Sequence, residues 1–384
     1  MRGKTKKLLC AAFAVICVLL LAAGAADASV GEAVSVFEGD VLYEPAFTHY
    51  EYGLSGVSDE KTATVKVLGI PIKNVSVSVF KKTEVIPGGQ SFGVRLQTRG
   101  VTVVGTGAVI LANKTAEPAT DAGLKENDVI ISANGEEILS SRQFTEILQR
   151  NGAQGIKIIY KRGGVEYETT LYPVKDENGE YKAGMWLKDT TAGIGTVTYI
   201  VPEDNSFAGL GHGICEADSK ELLPFNSGEV FVSHITGVKR GKNGEPGELR
   251  GYFEKEPAGT LTANTQSGVY GKLDKCEKGK TVQIALKDKV KTGNVKILCT
   301  VDDGGVCEYD AKIIKILSYS TKEKNFIVKI TDEELIRKTG GIVQGMSGSP
   351  ILQDGKLIGA VTHVLVNDAS RGYGIFIENM LENN

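Results

Sequence analysis

The sequence Gly345-Met346-Ser347-Gly348-Ser349-Pro350 stands immediately before the apolar pair Ile351-Leu352, near the end of this 384-residue chain. A tight turn is expected at Asp354-Gly355, and Leu357–Thr362 has the pattern of a second apolar strand. A serine hydroxyl is a weak nucleophile that needs a base to activate it. Glycines on both sides of Ser347 let the amides of Gly345 and Ser347 point towards one developing oxyanion. We therefore predict that Ser347 is a nucleophile and that these two amides form its oxyanion hole.

This loop, followed by an apolar strand, a hairpin turn and a second apolar strand, is similar to the nucleophile region of trypsin-like serine peptidases. A Gly-x-Ser-x-Gly hydrolase elbow would need a glycine at position 349 and a helix after the serine, whereas Ser349 is followed by a turn. Strand-like segments separated by glycine and charged turns extend over residues 183–384, at the spacing of a barrel or sandwich. One helix is expected there, with Thr331 as N-cap, Glu334 completing a capping box and Gly340 at its end.

Four histidines are candidates for the base. His49 lies outside the predicted catalytic domain, and His234 lies in an apolar strand, where core packing is the simpler role. His212 lies in a glycine-rich turn and precedes Ser347, as the base does in trypsin-like chains. His363 ends the strand after the nucleophile and is the alternative. We predict His212 as the base.

The acidic member of a triad is the hardest to choose. Asp302, Asp303 and Asp310 lie in expected strand-end loops. Asp332 lies at the start of the expected helix, where the helix dipole favours an acidic residue whatever its chemistry. It also precedes Ser347 by only 15 residues, a much shorter separation than in trypsin-like chains. The residues alone leave these four candidates open.

Residues 84–175 have a different pattern. Ala122 to Gly135 reads A-G-L-K-x-x-D-x-I-x-x-x-N-G and resembles bacterial PDZ domains, with Asn127 in place of the usual glycine. A PDZ domain binds the end of an extended chain as an added strand, and backbone amides hold its carboxylate. The resemblance places the helix Ser141 to Asn151 at one wall of the groove. It places the carboxylate loop at Gln90, Ser91, Phe92 and Gly93. A partner's chain end or the protein's own chain is the expected ligand, and an empty groove is the alternative.

The first 28 residues predict export. Arg2, Lys4, Lys6 and Lys7 precede the charge-free run from Leu8 to Ala26, and Ala26-Asp27-Ala28 offers a cleavage site. This run is near the length that spans a bilayer, so the segment is a signal peptide or a retained membrane anchor. In both cases the rest of the chain crosses the membrane. The net charge of -3 shows no basic surplus for binding nucleic acid.

Outside the leader the cysteines are Cys215, Cys276, Cys299 and Cys307. Four cysteines allow three pairings, and the sequence chooses neither a pairing nor the reduced state. Without a C-x-x-C motif and with four histidines, we expect no metal site and no cofactor. The expected organisation is a leader (1–28), a β-rich segment (29–83), a PDZ domain (84–175) and a peptidase domain (183–384), mainly β with minor α.

Motifs along the whole chain share one resemblance. They are Ile86–Val94, Gly209–Ile214, Thr339–Pro350 and Gly359–Val364. In this order they resemble the stage IV sporulation protein B serine peptidase family of endospore-forming bacteria. The resemblance implies that His212, Ser347 and Asp332 form the catalytic triad.

The same resemblance implies a biological role. It suggests a signalling protease exported to the space between the two forespore membranes, where it cleaves itself and a membrane-bound regulator. An intramembrane metalloprotease then processes a sigma-factor precursor. The alternative function is a PDZ peptide-binding scaffold with an inactive protease domain.

Overall fold

The computed structural model describes residues 33–38, 43–44, 48–53, 61–67, 70–112, 114–216, 220–275, 278–321 and 323–382. The predicted leader, residues 1–28, lies outside these ranges. The chain divides into two compact units, one containing the described residues up to Glu84 with Gln283–Val290, and the other containing Val85–Val282 with the described residues from Lys291 onward. Among the described residues, no helix has the length and apolar character needed to cross a membrane.

The first unit contains a five-stranded sheet. Its strands are β1 Ala33–Phe37, β2 Tyr43–Glu44, β3 Thr48–Gly53, β4 Lys61–Val67 and β5 Ile70–Phe80. They follow the order β1-β5-β4-β3-β2. β1 pairs with β5 in parallel, and the other neighbours are antiparallel.

The elements from Glu84 onward are mainly strands, with four short helices and one 3-10 turn in the described residues. The first part comprises β6 Glu84–Pro87, β7 Ser91–Thr106, β8 Val109–Leu111, β9 Lys114–Ala116, α1 Pro118–Asp121, β10 Val129–Ala133, β11 Glu136–Glu137, α2 Ser141–Asn151, β12 Ile156–Arg162, β13 Val165–Leu171, β14 Val174–Lys175 and β15 Tyr181–Lys182. The next part comprises β16 Met185–Ile200, β17 Ser206–Gly209, β18 Phe225–Lys239, β19 Glu248–Phe253, β20 Gly259–Thr265, β21 Gly268–Leu273, β22 Val282–Gln283 and a 3-10 turn at Lys287–Lys289. The last part comprises β23 Gly293–Cys299, β24 Cys307–Thr321, β25 Lys324–Ile330, α3 Glu333–Thr339, β26 Pro350–Gln353, β27 Lys356–Leu365, β28 Asp368–Phe376 and α4 Ile377–Leu381.

The second unit contains two closed β-barrels. In the first, the strand order is β7-β18-β20-β21-β17-β16, and β16 closes the ring by pairing with β7. Phe92, Val94 and Phe207 pack in its core. The second barrel has the order β23-β24-β25-β28-β27-β26. The mainly β architecture expected from the sequence, with a PDZ-type module and barrels, is therefore present.

The PDZ-type module is inserted into the first barrel, because β7 and β16 belong to both. The early residues of β7 pair with β18, as in Phe92↔Val232, whereas its later residues pair with β10 of the module, as in Val101↔Ile130. The module core extends from Val101 to Ala183, with Leu187 packed against it. The module therefore covers about 101–187, and residues 85–98, expected in a PDZ domain over 84–175, belong to the barrel.

The local signals of the module behave as the sequence predicts. α2 covers Ser141–Asn151, the Ser140 hydroxyl accepts a hydrogen bond from the amide of Gln143, and Gly152 at φ +60° ends the helix. Asn127, where the motif usually has glycine, has φ +70°, a conformation that asparagine tolerates better than most residues. The motif aspartate Asp128 is fully buried.

Asp128 has a structural partner in the module. Both of its carboxylate oxygens accept hydrogen bonds from Arg162, each at 2.6 Å. Arg162 also donates to the carbonyl of Gly123 at 2.8 Å. A bidentate pair of this kind satisfies a buried charge with directional bonds. The aspartate of the Ala122–Gly135 motif therefore has a structural role in the module.

The helix α3 begins one residue later than the sequence predicts. Its N-cap is Asp332 rather than Thr331, because the Asp332 carboxylate accepts from the amide of Leu335 at 3.0 Å. Glu334 therefore completes no capping box and instead forms an ion pair with Lys338 at 2.8 Å. Gly340, at φ +78°, ends the helix as expected.

Candidate active site

Ser347 lies in the loop before β26, and strand β16 of the first barrel holds this loop. The Thr196 hydroxyl donates to the carbonyl of Gly345, and the Thr198 hydroxyl donates to the carbonyl of Gly348, both at 2.8 Å. The Thr196 amide donates to the Ser347 carbonyl at 2.9 Å. A Cβ atom at Gly348, where φ is +95°, would lie 2.0 Å from the Thr196 carbonyl oxygen. Only glycine allows this close approach of loop and strand.

The two predicted oxyanion-hole amides differ from their neighbours. The amides of Met346 and Gly348 donate to backbone carbonyls. Those of Gly345 and Ser347 donate to no group in the described part of the chain. Free amides at a nucleophilic serine and two residues before it are the donors that an oxyanion hole requires.

The Ser347 hydroxyl is hydrogen-bonded to the backbone in this structure. It donates to the carbonyl oxygen of Thr362 at 2.6 Å. The Thr362 hydroxyl donates in turn to the carbonyl of Glu323 at 3.1 Å. The predicted nucleophile is therefore hydrogen-bonded to β27, and to act as one it would have to rotate away from Thr362 so that its proton could reach an imidazole.

His212 lies in the loop after β17 of the first barrel. Its Nδ1 is 2.9 Å from the carbonyl oxygen of Gly213, which can only accept a hydrogen bond, so Nδ1 carries the proton. Nε2 then holds the free lone pair, which is the tautomer that a general base needs. The loop also touches the second barrel, since a Cβ atom at Gly211 would lie 3.0 Å from the Thr362 side chain.

Asn264 fixes the peptide group that holds this tautomer. Its Oδ1 accepts from the Ile214 amide at 2.8 Å, and this amide belongs to the same peptide plane as the Gly213 carbonyl. Its Nδ2 donates to the carbonyls of Ile214 and Leu223, both at 3.0 Å. Asn264 is buried, at 8% exposure. One side chain thereby orients the acceptor of the His212 Nδ1 proton, and no sequence motif indicated it.

We expect Asn264→Ala to lower kcat/KM by roughly 10- to 100-fold, because small displacements of a catalytic base have effects of that size. The measurement is peptide hydrolysis beside a thermal melt. Asn243→Ala, at an exposed position, is the matched control and should behave as wild type. Near-normal kcat/KM in Asn264→Ala would show that the Gly213 carbonyl keeps its place without this amide.

A second imidazole lies against the predicted base. The rings of His212 and His363 are 4.6 Å apart between centroids and inclined by 36°. Nδ1 of His363 is buried and has no hydrogen-bond partner in the described residues. Burial, with smaller contributions from His212 and Lys324, lowers the pKa of His363 to about 4. Burial also lowers the pKa of His212, opposed by its hydrogen bond to Gly213 and by the charge of Glu323. Both rings are therefore neutral at pH 7.

The lowered pKa of His212 predicts the position of the acid limb of activity. The base works only when neutral, so activity is present above the folded pKa and is lost as the pH falls through it. We expect the midpoint in kcat/KM to lie below about 6.5, the ordinary value for histidine. A pH–rate profile measures it, and His363→Gln should retain an acid limb. A midpoint above the ordinary value would contradict the burial of His212.

The acidic candidates lie in different places. Asp332 caps α3 and also accepts from the amide of Asp310 at 3.3 Å. Asp302 forms an ion pair with Lys338 at 2.7 Å, Asp310 forms one with Lys296 at 3.1 Å, and Asp303 is exposed. No hydrogen bond joins any of them to His212 among the described residues.

Glu323, immediately before β25, is the acid whose negative charge favours the protonated form of His212. Its backbone carbonyl accepts a hydrogen bond from the hydroxyl of Thr362, the residue whose carbonyl accepts from Ser347. The sequence did not indicate this residue, because a glutamate in a strand-end turn carries no motif.

The predicted carboxylate loop lies elsewhere. Gln90 precedes β7, and Ser91, Phe92 and Gly93 are within it. Phe92 is buried in the core of the first barrel, and Gly93 pairs with β16 and β18. The Ser91 hydroxyl accepts from Ser233 at 2.8 Å. These residues are a barrel strand because the chain enters the module only after them.

A groove of about 540 Å³ lies instead beside α2. Phe144 and Leu148 line it on the helix side, Val109 lines it from β8, and Met185 and Trp186 line it from the start of β16. Trp186 is 64% exposed. The helix wall expected from the sequence is therefore present, and the facing wall is the first part of β16.

Ser347 and His212 thus lie on loops of two closed barrels that touch each other, since a Cβ atom at Gly348 would lie 2.4 Å from the Leu210 amide. Two such barrels with a serine and a histidine on adjoining loops have the architecture of the trypsin-like class of serine peptidases. The chain belongs to the SpoIVB peptidase S55 family, whose model matches residues 179–381, more than half of the chain.

Curated proteins match shorter segments. "Probable protease eep" of Enterococcus faecalis is 38% identical over 60 residues, which are 16% of this chain and 14% of that protein. "Serine protease HTRA1" of Xenopus laevis is 32% identical over 72 residues, 19% of this chain and 15% of that protein. The chain therefore matches only about one-seventh of the length of these two relatives.

Solved structures give similarly partial matches. The PDZ domain of the SdrC-like protein of Listeria monocytogenes is 25% identical, with a TM-score of 0.19, and covers 23% of this chain and 88% of its own. The active form of the Rv3671c protease of M. tuberculosis is 15% identical, with a TM-score of 0.32, and covers 50% of this chain and 72% of its own.

Proposed function

We propose that this serine peptidase acts outside the cytoplasm in sporulation signalling, where it cleaves a membrane-bound regulator and its own N-terminal region. The regulator would control an intramembrane metalloprotease that processes a sigma-factor precursor. Family membership supports this role, and the charged and apolar pattern of residues 1–28 supports export to the space between the forespore membranes. The observation that carries the activity is the placement of Ser347 beside two free amides on a loop that contacts the loop of His212.

The proposed reaction follows from these positions. The Ser347 hydroxyl leaves Thr362, transfers its proton to Nε2 of His212 and attacks the scissile carbonyl carbon. The amides of Gly345 and Ser347 hold the oxyanion. The imidazolium then protonates the leaving amine, and water hydrolyses the acyl-enzyme by the same path. The Gly213 carbonyl keeps the Nδ1 proton of His212 in place during both steps.

The acid of the triad can be tested by comparing two amides. The resemblance assigns Asp332, and the charge acting on His212 favours Glu323. If Asp332 orients the imidazole, Asp332→Asn should lower kcat about 10⁴-fold with little change in stability. If it only caps α3, Asp332→Asn should keep near-normal activity, because asparagine is also a good N-cap. Glu323→Gln is the companion variant, and loss of kcat in that variant alone would move the role to Glu323.

We further propose that the groove between α2 and the start of β16 binds an extended chain end of the substrate or of the protein itself. Apolar side chains of α2 and β16 line it together with charged residues, Asp176, Glu177 and Lys182. An added strand binds a PDZ domain at an exposed sheet edge. Trp186→Ala should weaken cleavage of a protein substrate while cleavage of a short reporter peptide continues. Equal loss on both substrates would argue for damage to the barrel.

The test of the whole proposal uses the catalytically inactive chain as substrate. Full-length Ser347→Ala protein, anchored in vesicles, is incubated with wild-type protein, and its N-terminus is sequenced by mass spectrometry. We expect cleavage near the N-terminus in trans only when the wild type is present. A sporulating strain that lacks its own family member tests the role, and it should form spores with the wild-type gene and not with Ser347→Ala. If the wild-type protein cleaves peptide bonds but does not restore spore formation, the peptidase activity stands and the signalling role is refuted.

A further inference from the structure

Two cysteines face each other across the first hairpin of the second barrel. Cys299 is the last residue of β23, Cys307 is the first residue of β24, and the two are direct partners in the antiparallel register. Directly opposite residues in such a pair project to the same face with Cα atoms about 4.5–5.5 Å apart. Disulfides span Cα separations of about 4.4–6.8 Å. The backbone therefore already has the spacing of a cross-strand disulfide.

The surroundings place both sulfur atoms in one pocket. Cys299 is fully buried, and Cys307 is half-buried. Burial raises the pKa of Cys299, and Cys307, Asp332 and Asp302 contribute to the same direction. Burial and both thiols also raise the pKa of Tyr309, two residues along β24. Tyr309 is thus a common neighbour of the two cysteines on the interior face of the barrel.

We propose that Cys299 and Cys307 are a dithiol site that closes to an intramolecular disulfide on reaction with a low-molecular-weight disulfide. The more accessible Cys307, as thiolate, attacks one sulfur of the reagent, forms a mixed disulfide and releases the first thiolate. Cys299, deprotonated in that step, attacks Sγ of Cys307 and releases the second. Two protein thiols are oxidised, one reagent disulfide is reduced to two thiols, and the protons go to the released thiolates. Of the three pairings the sequence leaves open, this is the one that the sheet register selects.

The bond would close the loop of residues 300–306, which connects β23 to β24. Within this loop, the Thr300 hydroxyl donates to the carbonyl of Gly89 at 3.0 Å, and Asp302 pairs with Lys338 of α3 at 2.7 Å. A disulfide here restricts the unfolded chain while native contacts stay as they are. The expected outcome is a higher melting temperature and unchanged peptidase activity, because neither cysteine contacts Ser347 or His212 among the described contacts.

The chain offers a direct assay, because no Lys or Arg lies between Ile297 and Ala311 and trypsin therefore releases both cysteines in one peptide, residues 297–312. The folded full-length protein is treated with oxidised glutathione, alkylated without reduction and digested. We expect this peptide to be unalkylated and lighter by two hydrogen atoms than its reduced form, and the oxidised protein to melt a few degrees higher. Cys307→Ser is the matched control and should show neither change while keeping activity.

The other results would overturn the proposal. They are alkylation of both cysteines after oxidation, a stable glutathione adduct on Cys307 alone, and a cross-link from either residue to Cys215 or Cys276. An upward shift of the melting temperature in oxidised Cys307→Ser would also contradict it, because the stabilisation would then come from another cysteine. Because the assay reads thiols and not proteolysis, it is independent of the proposed signalling role.

Discussion

Ser347→Ala protein will be folded and will cleave peptide bonds at a rate roughly 10⁵- to 10⁶-fold below wild type. The substitution removes the nucleophilic oxygen, and the oxyanion donors and His212 that remain cannot replace it. In the described part of the chain the hydroxyl donates to the carbonyl of Thr362. Loss of that hydrogen bond should lower the free energy of unfolding by only about 0.5–1.5 kcal/mol. Steady-state hydrolysis and a thermal melt measure the two effects.

A matched serine and an active-site label make this test specific. Ser227→Ala removes an exposed hydroxyl that donates to Gln97, and it should keep full activity. A fluorophosphonate probe should label wild type and Ser227→Ala but not Ser347→Ala, since it reacts with an activated serine. Persistent self-cleavage in purified Ser347→Ala protein would show that another group is the nucleophile.

His212→Ala will be about as inactive as Ser347→Ala, and the double variant will be no worse than either. The hydroxyl and the imidazole transfer one proton between them, so losing either partner removes the same step. Kinetics of the three variants against wild type form the cycle. Additive losses on the logarithmic scale would contradict a shared step.

The neighbouring ring supplies the control for His212. His363 lies against it, but its Nδ1 has no partner in the described part of the chain. His363→Gln should therefore reduce kcat by a modest factor through packing and keep the pH dependence of His212. Inactive His363→Gln beside active His212→Ala would identify His363 as the base.

Local signals in the sequence predicted local structure well. The helix over Ser141–Asn151 and its end at Gly152 are confirmed because a cap, an apolar face and a glycine stop all lie within one short segment. The glycine turns that carry Ser347 and His212 were recognisable for the same reason. The N-cap of α3 was misplaced by one residue, because Thr331 and Asp332 are both good caps and only the tertiary position of Asp310 decides between them.

Relations between distant segments were not predictable in this way. β7 is one uninterrupted strand from Ser91 to Thr106, and nothing in its sequence shows that its two halves serve two domains. Its early partners, such as Val232 opposite Phe92, lie far along the chain. Glu323, in the turn before β25, and Asn264, in β20, act on the His212 loop from distant parts of the sequence. Neither has a neighbouring motif that could reveal it.

The insertion of the module has a consequence for the order in which the chain folds. All core residues of the module lie between Val101 and Ala183, so this part can fold as soon as that length has been synthesised. Ser91–Thr98 can pair with the late half of β16 and with β18 only after those strands, which follow the module core, have been synthesised. Closing such a long loop costs conformational entropy and slows folding.

The folded module reduces this entropy cost, because it already holds β7 and β16 together at one point. At the edge of the module Thr102 pairs with Lys188, and the next pair on the same two strands, Gln97 with Thr190, belongs to the barrel. The early half of β7 and the late half of β16 are thus brought side by side in register before the barrel closes. The PDZ-type module is in this sense a folding clamp for β16, the strand that holds the Ser347 loop.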